Sequence, residues 1–552
     1  MIMKMLHLDL VCLADEKSMT LENLRGLGAV HLDLSAASGT AVVAAKGEAA
    51  DAEKAVRLIL KARGKSKDLD IHERAVSEIL EIDADRETIK SAIEDLEREI
   101  RTYEPYGDFE PELAAKLLKE VEGLRDVVPL PEKLPAMSLS EMREKLERLQ
   151  NKISIDDAKI AGSDEQAILR RYPALADKIA FEAARELVGE KGDLAFVSGW
   201  VPETQVEGLK SCAQKAGWGY LLREPAEGEV PPTLVEPPKM FRPMKALFQG
   251  LGIAPAYTEA DVSVPFMCYF SLFFAMLVGD GAYGAIFLAG TLAMRKKLPR
   301  SWFILLTVFS SATVLWGILS NTWFGAGIPW LAGLPTVGWL ADPSYHNMML
   351  LCFTIGVSHL MLARIWNGVC KAPDSTCVAE FGWAGILLFM YLVTNSIVGI
   401  FAGIPQWGFW VLGVSLVAVF GFSVKPSELK TRGAELGMLP LNIMSALGDI
   451  ISYVRLFAVG LASVKVAENF NSMATGLVSS ANAWWFNALM CVAMVAILVV
   501  GHALNLAMAG LSILVHAVRL NTLEFSNHKG VSWSGYEYRP FKSQRGQAAR
   551  QA

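Results

Sequence analysis

The sequence predicts an α-helical polytopic membrane domain of about eight transmembrane helices, preceded by a cytoplasmic domain that combines α/β structure with an antiparallel coiled coil. Three observations carry this reading. Charge is unevenly spread: the first 264 residues hold 48 acidic and 35 basic side chains, the rest only 10 and 17. Apolar runs of bilayer length begin at about residue 264, and apolar residues recur at heptad spacing between about 72 and 170. A soluble half with an acidic surplus argues against nucleic acid as a partner.

The elements follow in chain order. The opening "MIMKMLHLDLVCLADEKSMT" has a short apolar run cut by His7, Asp9 and Asp15, and no cleavage site of small residues, so it reads as a first β-strand and not as a signal peptide. With "SMTLENLRGLGAVHLDLS" it gives strand, helix, glycine turn, strand. Ile82, Ile89, Ile93, Leu96, Ile100 and Tyr103 then step by sevens, fours and threes, and Met142, Leu146, Leu149, Ile153 and Ile160 repeat the pattern. Joined by the proline-punctuated "VVPLPEKLPAMS", the two stretches predict a coiled-coil hairpin; two amphipathic helices of a compact bundle fit the same spacing. Strand and helix alternation resumes in "GDLAFVSGWVPETQVEGLKSCAQKAGWGYLLREP", which places α/β lobes at both ends of the hairpin. The cytoplasmic domain is set at residues 1–240 and closes in the proline-rich "EVPPTLVEPPKMFRPM"; a linker over 241–263 follows.

Apolar segments lie at about 264–279, 282–294, 301–320, 347–367, 381–402, 407–424, 438–470 and 484–523, so that eight spans fill residues 264–525 and a tail occupies 526–552. Basic residues sort the loops. "RKKLPR", Arg364 with Lys371, "KPSELKTR" and the tail residues Lys529, Arg539, Lys542, Arg545 and Arg550 follow even-numbered spans, whereas 321–346, 403–406 and 471–483 contain no Lys or Arg. The positive-inside rule therefore puts both termini in the cytoplasm of a multi-pass cell-membrane protein.

Polar groups inside the last two spans are the candidate chemistry. His502, Asn505, Ala509, Ser512, His516 and Arg519 step 3, 4, 3, 4, 3 and so stack on one face of an α-helix. In the seventh span Asn442, Ser445, Asp449, Ser452, Arg455 and Ser463 share one broad arc. Arg455 cannot shed its proton, and a charge near the bilayer centre costs about 2.5 to more than 10 kcal/mol, so something must compensate it. Two polar stripes bearing two arginines read as the wall of an ion path; snorkelling to the headgroups is the alternative for each arginine. Lys465 and Glu468 are expected off the path and paired with each other. Asp280 and His359 read as structural groups. "ARGKS" at 62–66 lacks the first glycine of a phosphate loop, the seven cysteines have no metal-knuckle spacing, and no cofactor or metal is expected.

"SALGDIISYVRLFAVGLASVKVAENFN" and "GHALNLAMAGLSILVHAVRLNTLEF" resemble the last two membrane helices of subunit I of prokaryotic V/A-type rotary ATPases, the counterpart of subunit a in eukaryotic vacuolar pumps; "VSGWVPET", "PPT" and "LVGDGAYG" agree in order. The resemblance covers nearly the whole chain, with a soluble half shorter than the family's. It implies a non-catalytic stator subunit in a bilayer, lying against a ring of small subunits that each carry one ion-binding carboxylate. Peripheral stalks would dock on the soluble half, with the central stalk and ATPase head reached indirectly. It further implies that Arg455 meets the ring carboxylate, that Arg519 is the second arginine, and that Glu524, His516, Asn505 and His502 are polar path positions. Eukaryotic relatives have a glutamate at Ala509 and a histidine at Ser463, so other groups must line the path here. A stand-alone secondary transporter and a membrane-anchored coiled-coil tether are the rival functions; neither the choice of H⁺ or Na⁺ nor the balance of synthesis and pumping is legible.

Overall fold

The structure is a computed structural model that describes residues 2–35, 37–64, 71–120, 131, 133–331, 333, 335–340, 344–424, 429–477 and 484–543. Parts of the expected connector "VVPLPEKLPAMS", of "ARGKS" and of the loops at 425–432 and 471–483, as well as Arg545 and Arg550, lie outside these residues. The chain divides into two compact units, one of Met5–Glu227 with Arg539–Ala552, the other of Met1–Lys4 with Gly228–Tyr538.

In the first unit one antiparallel sheet has the order β2-β3-β1-β4, built from β1 (Met5–Leu13), β2 (Gly189–Lys191), β3 (Leu194–Pro202) and β4 (Gly219–Arg223). Met5 pairs with Pro202 and Leu13 with Leu194, while His7 pairs with Arg223. The two α/β segments thus share one sheet, where the sequence suggested a lobe at each end. The strand expected in "GAVHLDLS" is a single bridge, His31 to Trp200, with bonds of 2.8 and 2.9 Å. Alternation along β1 sends Leu8, Leu10 and Cys12 into a core with Leu21 and Leu24 of α1 (Lys17–Leu27) and with Leu209 and Ala213 of a later helix, Val206–Ala216. Phe541 completes that core: its N–H donates to the Val30 carbonyl at 2.7 Å, and Ser543 Oγ donates to Asp177.

Between β1 and β2 the chain is helical: α2 (Thr40–Arg63), α3 (Val76–Tyr103), α4 (Pro111–Glu120), α5 (Leu139–Ala161) and α6 (Glu165–Leu187). Ile79 packs with Ile160 and Ala161, while Leu96 and Ile100 pack with Leu139 and Met142, so α3 and α5 run antiparallel with the heptad residues between them. Their lower part is joined by Ala52, Ala55 and Ile59 of α2 and Ile168 of α6, which makes a four-helix base below a two-helix arm. The heptad residues face inward between α3 and α5, and the packing with α2 and α6 is that of a compact helical bundle, the alternative to a coiled-coil hairpin that the spacing left open. A capping box starts α5: Ser138 Oγ accepts from Glu141 N at 3.3 Å and Ser138 N donates to Glu141 Oε2 at 2.9 Å. Arg86 of α3 joins two helices, donating to Asp83 and, across to α5, to Asp157, both at 2.8 Å.

The helices of the second unit, after Val206–Ala216 as α7, are α8 (Met244–Leu251), α9 (Ser263–Val278), α10 (Gly281–Ala293), α11 (Arg300–Ser320), α12 (Pro335–Leu340), α13 (His346–Lys371), α14 (Thr376–Ile397), α15 (Gln406–Phe422), α16 (Leu429–Ile451), α17 (Val454–Thr475) and α18 (Trp484–Ser512). Two π turns, Ile513–Ala517 and Leu520–Phe525, and α19 (Ser526–Lys529) prolong α18. Each of the eight expected apolar segments is helical, but among the described residues only five helices are long and apolar enough to cross a membrane, or six if a bent pair counts as one. That pair is α9 and α10, bent by 119°, and at 16 and 13 residues each is short of the roughly 20 that a bilayer requires. α15, with 17 residues, is also short. The bend is built by Gly279, in the left-handed region at φ 69°, and by Asp280, whose Oδ1 caps Ala282 N at 2.8 Å and whose Oδ2 accepts from Gly325 N at 2.8 Å. Asp280 is thus structural.

After α19 the chain runs back along the segment that precedes α9: Thr233 bridges Glu537, and Ala254 bridges Ser534.

Candidate functional site

The long seventh span is not one helix. Between α16 and α17 the hydrogen bonds shorten to i−3 steps, Tyr453 N to Ile450 O at 3.1 Å and Arg455 N to Ser452 O at 3.3 Å, so Arg455 stands just beyond a tight turn. Tyr453 lies at the step. Its ring is fully buried against Gly356, where a Cβ would fall 2.5 Å from Tyr453 Cγ, and its hydroxyl meets His359 Nδ1 at 2.9 Å.

The stripe on the last helix runs with α-helical period to Ser512 and then enters the π turns, whose wider winding rotates the residues that follow. The rotation brings Glu524 inward. Its side chain is 5% exposed, and Oε1 lies 3.2 Å from Arg455 Nη2, 3.5 Å from Arg519 Nε and 3.3 Å from Ser452 Oγ. Glu524 Oε2 is buried with no hydrogen-bond partner among the described residues. The compensation that Arg455 demands therefore begins within the chain, and it is incomplete: two guanidinium groups converge on one carboxylate oxygen. Arg455 is 23% exposed and Arg519 54%.

Asp449 turns away from this pair towards His528, Oδ2 to Nε2 at 3.0 Å. Arg364 Nε donates to His528 Nδ1 at 3.1 Å, and since an arginine nitrogen can only donate, the ring proton of His528 sits on Nε2 and points at Asp449. Glu380 holds Arg364 at 3.1 Å and Lys371 at 2.6 Å.

A second polar group lies further along α17 and back along α18. Tyr283 Oη meets His502 Nδ1 at 2.7 Å and accepts from Asn505 Nδ2 at 3.0 Å. Asn505 also donates to the Ser463 carbonyl at 2.8 Å and accepts from Ser463 Oγ at 3.2 Å, while His502 Nε2 lies 3.1 Å from Asn471 Oδ1. Ser463 and Arg455 are eight residues apart, about 12 Å along a helix. Leu456 and Gly460 are buried between them, and so is Ala509 on α18.

Of the residues singled out from sequence, Arg455, Arg519, Glu524, Ser452 and Asp449 gather in or beside the first group, and His502, Asn505 and Ser463 in the second. Among the described residues His516 lies within electrostatic reach of both arginines, its Nδ1 has no hydrogen-bond partner, and Ser512 makes no side-chain hydrogen bond. Asn442 and Ser445 are exposed. Lys465 and Glu468 pair as expected, at 2.7 Å, and lie outside both groups.

Sequence reading missed Tyr283, Asn471, His528, Arg364 and Glu380. Glu380 carried a signal, as a lone acid in an apolar stretch; Arg364 was counted as a loop charge but belongs to α13. No three His, Cys, Asp or Glu side chains come together in a way that could hold a metal among the described residues.

No protein-family profile matches the chain. It is similar to a protein of Borreliella burgdorferi named V-type ATP synthase subunit I, 33% identical over 372 residues that cover 63% of this chain and 60% of that protein. A Treponema pallidum protein named V-type ATP synthase subunit I 1 is 28% identical over 633 residues, 98% of this chain and all of its own length. A Methanocaldococcus jannaschii protein named A-type ATP synthase subunit I is 24% identical over 501 residues, 83% of this chain and 68% of its own.

Proposed function

We propose, from the premise that this chain is a homologue of the V-type and A-type ATP synthase subunit I proteins, that it is the stator subunit of a rotary ATPase, carrying ions in its membrane half and seating peripheral stalks on its soluble half. Chemistry on ATP falls to other subunits of the complex. The observation that carries the reading is the inverted stoichiometry at Glu524, two arginines on one carboxylate, beside helices that the chain leaves uncovered. Only 11% of the most apolar window of Leu489–Lys529 is buried, against 50% for Thr376–Ile397. The bare face of that helix is apolar, with Leu504, Met508, Leu511 and Leu514 exposed, as suits a partner within the membrane, and a ring of carboxylate-bearing subunits fits that surface and the second arginine on Glu524.

In this reading a ring carboxylate arriving at Arg455 shares the guanidinium with Glu524. The fixed cation favours the ionised carboxylate, so a bound proton or sodium ion leaves as the site passes. The same cation bars a free cation from leaking straight across. The Tyr283–His502–Asn505–Ser463 group and the Glu524–Ser452–Asp449 group serve as two half-paths, divided by the buried Leu456, Gly460 and Ala509. An ion bridges that gap only by riding the ring.

The bridges from Thr233 to Glu537 and from Ala254 to Ser534 support an even number of crossings, because they join the entry and exit of the membrane helices. A bend of 119° between α9 and α10 suits a hairpin that returns to its own side better than a single crossing. With the basic loops, this puts both ends of the membrane region in the cytoplasm, with eight apolar helices, the first two forming that hairpin. ATP-driven quenching of a pH or sodium dye in vesicles holding the complex tests the function: assembled Arg455→Ala complexes are expected to hydrolyse ATP without transport, and near-normal transport would remove Arg455 from the mechanism.

A further inference from the structure

His359 lies on α13, fully buried, and neither half-path uses it. Its ring stacks on Tyr269 at 4.0 Å and on Phe525 at 4.4 Å, the latter within 10° of parallel, and meets Phe273 and Tyr453 edge-on. Nδ1 bonds the Tyr453 hydroxyl at 2.9 Å. The contacts with Tyr453 and Phe525 reach irregular backbone. Tyr453 forms the tight step two residues before Arg455, and Phe525 belongs to the π turn and adjoins Glu524.

If only volume had to be filled here, an apolar ring would do so without the desolvation cost of a buried imidazole. The polar atom that is used points at Tyr453. A step and a π turn are both departures from the cheapest helix geometry and persist only where surrounding contacts determine them. One imidazole touches a residue located at each.

We propose that His359 is a positioning residue for the Arg455–Glu524 pair, its Nδ1 bond to Tyr453 fixing the turn that presents Arg455 while its ring face fixes the π turn that presents Glu524. The proposal rests on the reading of Arg455 as the cation of the ion path. Charge pairs in a dry site are sensitive to small displacements, and a 1 Å misplacement in a reacting site can cost on the order of 100-fold.

The test uses the assembled complex in vesicles and reads ions moved per ATP hydrolysed, normalised to complex by blot. His359→Phe keeps the stacking ring and deletes Nδ1; Tyr453→Phe deletes only the hydroxyl. Each is expected to assemble and to lower the ions moved per ATP about tenfold, the order of one buried hydrogen bond, with the double variant no worse than either single one. A merely structural role would lower the yield of complex and leave ions per ATP unchanged, and that result overturns the proposal. Should His359→Phe fail to assemble, Tyr453→Phe decides alone by the same criterion. Arg455→Ala run alongside separates the two ideas: if it transports normally, the ion-path reading falls; if it does not while both hydrogen-bond variants couple normally, only the positioning role falls.

Discussion

Arg86 on α3 and Arg455 on α17 are both largely buried arginines, yet their surroundings are opposite. Arg86, 10% exposed, has one nitrogen on Asp83 and another on Asp157, each at 2.8 Å, so one cation faces two carboxylates. Lys54, 3.5 Å from Asp83, takes up part of the excess negative charge. Around Glu524 the count is reversed, two guanidinium groups to one carboxylate, at 3.2 and 3.5 Å. The first arrangement is closed and holds α3 against α5. The second is open: both arginines are partly exposed and Glu524 Oε2 has no hydrogen-bond partner among the described residues, which leaves room for the ring carboxylate of the proposed function.

The sharpest way to break this comparison is to remove each arginine. On the proposed function, Arg455→Ala is expected to leave assembly intact and cut ATP-driven transport at least about 100-fold, because the ring carboxylate would lose a cation partner worth roughly 3–5 kcal/mol. Arg455→Lys is expected to fail nearly as badly, since an ammonium lacks the guanidinium fork that serves Glu524 and a visitor together. Arg86→Met should do the reverse: transport per assembled complex stays normal, while urea unfolding of the arm, followed by protease resistance of 76–161, shows a loss of about 3 kcal/mol. A transport defect in assembled Arg86→Met would erase the distinction between closed and open pairs. Arg519→Ala is expected to lower transport only about fivefold, because its half-exposed side chain is screened and water replaces part of it. Equal losses at Arg519 and Arg455 would mean that the two share one role.

The smallest expected effect concerns His31, whose Nδ1 lies 2.9 Å from the Arg539 carbonyl oxygen and 3.0 Å from its N. Burial holds the His31 pKa below its ordinary 6.5, with the backbone of Arg539 opposing the shift. The unfolded chain therefore binds the proton more readily, so the stabilisation is complete above the unfolded value and falls away as pH drops below about 6.5. The protection factors of residues 539–543 against hydrogen exchange, corrected for the slower intrinsic exchange in acid, should fall on acidification, and His31→Gln should flatten that dependence; an unchanged pH profile in His31→Gln would show that another group titrates.

Much of this was legible in the sequence because it is local. The eight apolar segments, the inward residues of α3 and α5, and the stripe from His502 to Ser512 follow from spacing alone. The contact between Arg455 and Glu524 was not legible, since it joins residues 69 positions apart through a π turn and a 3₁₀-like step that break the constant 100° advance on which such readings depend. The sheet that joins the two α/β segments was hidden for the same reason. β1 finds its partners only after nearly 190 residues, and no pattern within either segment states the pairing. His528 lies beyond the apolar run, so reasoning confined to the spans passed over it.

Phe541 has a consequence for the order in which the protein is made. β1, β3 and β4 are all available once residue 223 has left the ribosome, but the last apolar side chain of their core is still more than 300 residues from being synthesised. At about 5–20 residues per second that interval is roughly 15–60 s, during which the membrane helices are inserted. Throughout it the core of the sheet lacks Phe541, and that apolar gap can be filled only after the last long apolar helix has been made.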